Sequence, residues 1–258
     1  MTYLINITSL MHFSLIVVMF LICMWLISKN ITPHFRSLPA LESIPELVGR
    51  CVETGRPLVF TLGYGSLRTA EAAVTVAGLA IYEEVLKQSI DKGAEVITII
   101  NSADHIPLLR GLTEEAYRSK GKPEEIKPEN LIFIGGGQYS QIAATIGIMD
   151  AKKAGAFVYP GSVAGADIPI YGEHAGTIGA MSLAGMTNVA AWPWIVSIFD
   201  YSLLGEDVLA AGCILSKNPI MTTTIWGGDF YRYALVGIIL VGVIASWMGI
   251  NVSIFFAS

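Results

Sequence analysis

Charge is what this chain has least of. Only 14% of its 258 residues are charged, where a soluble domain carries roughly 25%. Disorder does not explain the shortage, because 53% of the residues are hydrophobic and disordered segments are poor in them. There is no basic tract and the net charge is −5, which excludes a nucleic-acid-binding module. Three cysteines, Cys23, Cys51 and Cys213, are too few and too scattered for a disulfide framework or a cysteine-based zinc site. No repeat of fixed period and no low-complexity run is present.

The shortage is local. No Asp, Glu, Lys or Arg precedes Lys29 or follows Arg232. Residues 10–28 and 233–256 are apolar runs, each long enough to cross a hydrocarbon core, which takes ~20 helical residues. The first run lacks the basic leader and small-residue cleavage site of a signal peptide. Gly237, Gly242 and Gly249 in the second favour a membrane helix over a soluble core helix. Its few polar groups include Asn251 and Ser253; those of the first include His12 and Ser14. Lys29, Arg36 and Arg232 flank the runs, so the positive-inside rule predicts a two-pass protein of the cell membrane with the middle in the cytoplasm and both termini outside. Trp25, Trp226, Tyr231 and Tyr233 then fall at the lipid–water interfaces, and unpaired cysteines suit the reducing side. The expected organisation is a transmembrane helix over 1–29, a connector over 30–55, a cytoplasmic domain over 56–228 and a second transmembrane helix over 229–258.

Between the runs the pattern alternates. Strands are predicted over 56–62, 95–101, 130–134, 156–159 and 177–183, with helices over 41–54, 69–92, 102–118 and 140–153. Continuous apolar strands separated by helices specify an α/β domain, with a Rossmann-like, mostly parallel sheet covered by helices on both faces. Residues 72–82 and 141–149 lie in helices yet carry no charge on any face. A helix apolar all round is buried all round, so these two predict cover by other copies of the chain, a homo-oligomer, with the connector or the bilayer surface as the alternative cover.

Open parallel sheets bind ligands beyond the carboxyl ends of their strands, and two glycine-rich loops fall there. Gly63, Gly65, Ser66 and Arg68 lead into one helix, and Gly135, Gly136, Gly137 and Gln138 into another. A helix N-terminus attracts anions, so the pair is a candidate pocket for a small anionic ligand, with tight packing turns as the alternative. The dinucleotide fingerprint is incomplete and no P-loop is present. A weaker candidate is a metal site from Glu173, His174, Asp200 and Glu206, oxygen and imidazole ligands without a recognised spacing. Here the competing reading makes Asp200 and Glu206 helix caps or partners of Arg56 and Arg68. Ser66 and Ser162 lie outside any nucleophile elbow. His105 reads as a first-turn residue facing water, with an acid–base role as the alternative. No cofactor is indicated.

Thr54-Gly55-Arg56-Pro57, the stretch Asp200-Tyr201 with Gly205-Glu206 four residues on, and Tyr171–Gly176 resemble an uncharacterised domain of bacterial and archaeal membrane proteins. The resemblance covers residues 51–229 and implies a membrane-tethered α/β fold without an assigned activity. The leading expectation is a membrane-anchored, non-catalytic subunit that self-associates as a scaffold; the alternative is a small-ligand or nucleotide-binding domain with hydrolase or transferase activity.

Overall fold

The computed structural model describes residues 7–31, 33–162 and 165–248. It divides into two units, one formed by Phe35–Ser216 and the other by the segments before and after it. Gly249, Asn251 and Ser253, at the end of the second apolar run, lie outside the described residues.

The first helix is α1 (Ile7–Ser28), and the central unit opens with a single turn, α2 (Pro39–Glu42), and α3 (Ile44–Thr54). Pro45 in the first turn starts α3, and Gly55 at φ 64° ends it, a left-handed cap that glycine adopts without strain. The chain then alternates β1 (Leu58–Thr61), α4 (Ala72–Lys92), β2 (Val96–Ile100), α5 (His105–Ser119), β3 (Leu131–Phe133), α6 (Gln138–Lys152) and β4 (Ala156–Pro160). It continues through α7 (Asp167–Thr177), β5 (Met181–Met186), α8 (Trp192–Ile198), β6 (Tyr201–Leu204) and α9 (Glu206–Ser216) to α10 (Pro219–Trp247).

All strand pairs are parallel and the order is β3-β2-β1-β4-β5-β6. The order reverses between β1 and β4, the switch point at which doubly wound sheets open a crevice. Strands β1, β2 and β4 are buried along their whole length, as a sheet covered on both faces requires. On one face, Phe157 and Tyr159 of β4 pack with Tyr171 of α7 and with Ile142 and Ile195 of α6 and α8. On the other, Phe60 stacks on Tyr82 of α4 with ring centroids 4.7 Å apart.

The central unit, Phe35–Ser216, starts before the expected 56 and ends before the expected 228. Ile44, Leu47, Val48 and Cys51 of α3 are buried and α3 packs on α4, so the supposed connector belongs to the domain. Four elements lacked a prediction: α7, α8, β6 and α9. The last changes an inference. Helix α9 packs along α4, with Ala211 and Gly212 buried against a helix that buries Ala77 and Gly78. The uncharged stretch 72–82 therefore finds its cover within its own chain, and its composition is no argument for a second copy. Helix α6 differs: Ala143 and Gly147 stay exposed and Ile146 and Ile148 half-buried.

In the other unit, α1 and α10 pack together. Both are long and apolar enough to cross a membrane. Asn218 starts α10 by accepting from the Ile220 amide at 2.9 Å. The pair is antiparallel: His12 meets Tyr231 at 3.4 Å, while Phe20, farther along α1, lies against Gly227, earlier in α10. This changes which basic residue flanks the second helix. Arg232 lies about 20 Å up the helix from Pro219 at 1.5 Å per residue, so Lys217, not Arg232, stands with Lys29 at the near end of the pair.

Candidate functional site

The switch point is closed by the chain itself. Gly63 and Ser162 form a bridge beyond the ends of β1 and β4; the Tyr64 amide donates to the Ser162 carbonyl at 3.1 Å and the Ser162 amide to the Leu62 carbonyl at 3.2 Å. Such close approach leaves no room for side chains. A Cβ on Gly63 would lie 2.0 Å from the Ser162 carbonyl oxygen, and one on Gly161 1.9 Å from that of Leu62. Gly63 also sits at φ 69°, a left-handed conformation that glycine tolerates. Gly65 packs against Thr75 and Ser162 in the same way.

Around this closure the polar side chains partner one another. The Ser162 hydroxyl donates to Glu71 in the residue just before α4, which puts a carboxylate where an anionic ligand would seek the helix N-terminus. Ser66 donates to Asp104 at 2.5 Å, and Ser102 donates to the other oxygen of the same carboxylate. These two hydroxyls hold Asp104 down to about 2. Beneath them Tyr159, fully buried, donates to Asp167 at 2.5 Å and lies 2.8 Å from the Ser162 carbonyl. Asp167 is itself fully buried. Burial first, then the Asp167 charge, raise the Tyr159 pKa well above the usual phenol value, so Tyr159 stays a donor at every physiological pH. Arg68 is exposed at the rim.

The second glycine loop does meet the first, since the Tyr64 hydroxyl donates to the Gln138 carbonyl at 3.3 Å. Its interior is filled by Gln141, whose amide nitrogen reaches the carbonyls of Asn101 and Ile134 at 3.1 Å and of Gly136 at 3.2 Å. Asn101 donates to Gln141 at 3.2 Å and accepts from Thr61 at 2.8 Å. One side-chain ladder thus ties the ends of β1, β2 and β3. Gly135 and Gly137 lie exposed above it, and Gly136 takes φ 102°.

The predicted metal set does not come together. Among the described residues no group of three or more His, Cys, Asp or Glu is placed to hold an ion. His174 Nε2 faces Asp150 at 3.0 Å, beside Glu173 in an open groove between α6 and α7. Asp200 accepts from the amide and hydroxyl of Ser182 at 2.7 and 3.0 Å rather than from an arginine. Glu206 and Asp207 open α9, and Asp207 takes Arg36 at 2.5 Å. Burial pushes the Cys51 and Cys213 thiols up to about 12 and about 11, so neither is a ready nucleophile.

His105 corrects a second expectation. It is fully buried, not facing water, and burial lowers its pKa against the opposing pull of Asp104 and the Gly65 backbone. The folded protein therefore refuses a proton that the unfolded chain accepts below about pH 6.5, and stability falls as pH drops through that value. Asp104 adds a loss in the same direction at lower pH, between its unfolded value of 3.8 and about 2. His105→Leu should flatten the fall in melting temperature between pH 7 and 5; an unchanged slope would show that burial of His105 does not set it.

The residues that organise the crevice, Glu71, Asn101, Gln141, Tyr159 and Ser162, were absent from the predicted site. Only Gly161-Ser162 at the end of a strand, answering Gly63 at the end of another, carried a signal for them. No curated protein and no solved structure matches the chain. A domain of unknown function, DUF6754, matches residues 2–256; with nearly its whole length covered, the chain belongs to that family.

Proposed function

We propose that this protein is a membrane-anchored subunit that self-associates into a scaffold, held in the bilayer by α1 and α10 with its α/β unit on the cytoplasmic side. Lys29 and Lys217 flank the near end of the helix pair, and Lys or Arg beside a span marks the cytoplasmic face.

The observation that carries the assembly reading is the bare outer face of α6–α8. Trp194 and Val196 of α8 are 52% and 61% exposed, and Val189 just before it 64%. Single exposed apolar residues are ordinary; large ones gathered on one layer mark an interaction surface. On α6, Tyr139, Ala143 and Gly147 are all exposed and spaced four apart, a stripe on one helical face. Small residues admit another helix closely, and an identical stripe across a two-fold axis is self-complementary.

A ligand in the switch-point crevice has less behind it. Glu71 guards the helix N-terminus there, and the hydroxyls of Ser66 and Ser162 are engaged within the chain.

Light scattering on the full chain in mild detergent tests the assembly. Particles larger than one chain are expected, and Ala143→Arg with Trp194→Arg, both on the exposed face, should reduce them at least tenfold in population. A monomeric wild-type chain at micromolar concentration overturns the proposal.

A further inference from the structure

We infer that the groove between α6 and α7 receives Tyr139 of a second copy of the chain, so that two copies meet antiparallel along α6 with each Tyr139 over the other's Gly147. The inference rests on the proposed self-association and gives that contact its register.

The groove is open and holds about 470 Å³, with Ile146 of α6 on one side and Ile170, Glu173 and His174 of α7 on the other. An apolar cavity of about 150 Å³ already accommodates a benzene ring. The two isoleucines make an apolar floor. The rim is acidic, since Glu173 stands on it and Asp150 meets His174 there at 3.0 Å. Tyr139 belongs to the same flank of α6. It precedes Ile146 by seven residues and Asp150 by eleven, two and three helical turns, so all three share the side of the helix turned to α7. Tyr139 is 73% exposed. Neither its hydroxyl nor the Glu173 carboxylate has a partner among the described residues.

An apolar floor under an acidic rim selects what enters it. A tyrosine buries its ring and keeps one donor for a carboxylate, whereas an acidic tip would be repelled. The chain's own Tyr139 stands about 10 Å along the helix from Ile146 at 1.5 Å per residue. A second copy brings one to the right level. The exposed stripe Tyr139, Ala143, Gly147 is centred on Ala143, so a two-fold axis running across α6 at that point sets two stripes antiparallel. Ala143 then meets Ala143, and each Tyr139 meets the other copy's Gly147. Such an axis keeps the α7 side of one copy over the α7 side of the other, and the ring enters beside Ile146 with its hydroxyl towards Glu173. Gly147 leaves the gap: nothing in its own chain lies within 4 Å of where a Cβ would stand.

Co-purification of two differently tagged full-length chains, co-expressed and extracted into mild detergent, tests this. Wild-type chains should capture each other. Tyr139→Ala in both chains, or Gly147→Gln in both, should lower capture at least tenfold, the first by removing the ring and the second by filling its gap. Glutamine is a better helix former than glycine and has open space in its own chain, so Gly147→Gln should melt no lower than wild type. Its lost capture is then no folding defect. A Tyr139→Ala chain paired with a Gly147→Gln chain keeps one intact contact, the tyrosine of the second in the open groove of the first. That mixed pair should be captured at least threefold better than either variant with itself. Capture unchanged by either variant, as a lipid or solute in the groove would leave it, or a mixed pair no better than the like pairs, overturns the inference. If those results accompany a wild-type chain that still self-associates, and loses association on Ala143→Arg with Trp194→Arg, the scaffold reading survives alone. A wild-type chain that never captures its copy removes both.

Discussion

Alanine at position 161 should keep the α/β unit from reaching its native fold at ordinary temperature. The new Cβ would stand 1.9 Å from the Leu62 carbonyl oxygen and 2.6 Å from its carbon. Neither neighbour is a flexible side-chain tip; both are backbone at the end of β1. Nor is Gly161 free to retreat, because its amide donates to the Gly185 carbonyl at 2.8 Å on the opposite side. Relief requires β4 to separate from β1 or from β5, and β4 packs Phe157 and Tyr159 into the core. Overpacking that flexible side chains can absorb costs about 1–3 kcal/mol; here the backbone must move, and we expect a loss above about 4 kcal/mol, a large part of a domain's stability. Gly111→Ala is the control. Gly111 sits within α5 with nothing within 4 Å of the added carbon, so alanine there should stabilise by about 0.5–1 kcal/mol. Thermal unfolding of the full chain in detergent separates the two, and a Gly161→Ala protein melting within a few degrees of wild type would refute the close approach.

The same glycines show what the sequence made legible. Alternation of apolar strands and charged or uncharged helices was enough for the parallel α/β architecture, because a strand buried on both faces must read as a continuous apolar run. Gly63 and Gly65 were visible as a loop at a strand end. Their purpose was not, because a glycine that admits a ligand and one that admits a neighbouring backbone look alike until the neighbour is known. That neighbour, Gly161-Ser162, is about a hundred residues away.

The misjudged elements fail for related reasons. Between β5 and β6 the sequence Trp192-Pro193-Trp194 interrupts a short apolar stretch, so α8 and β6 lacked clean periodicity. Helix α9 is short and apolar, and its cover of α4 is a tertiary fact that no periodicity encodes. In the other unit, each apolar run was readable alone. Their relative register was not: it depends on which residues of α1 and α10 touch, and it places Asp229 and Arg232 within the long helix α10, alongside α1, rather than ahead of the second apolar helix.

Tyr159→Phe should cost about 2–3 kcal/mol while changing almost nothing in shape. The ring stays, with its edge contacts to Tyr171 at 5.7 Å and Phe157 at 6.1 Å between centroids. What goes is one hydroxyl, which donates to Asp167 at 2.5 Å. Hydrogen bonds to charged groups contribute about 1.5–3 kcal/mol, and a fully buried carboxylate has no water to replace the donor. Asp167→Asn removes the charge itself, so Tyr159→Phe made in that background should cost less than in the wild-type chain, by at least about 1 kcal/mol in a double-mutant cycle. Additive costs across that cycle, or a Tyr159→Phe deficit below about 0.5 kcal/mol, would show that the buried Tyr159–Asp167 bond does not hold the switch point closed.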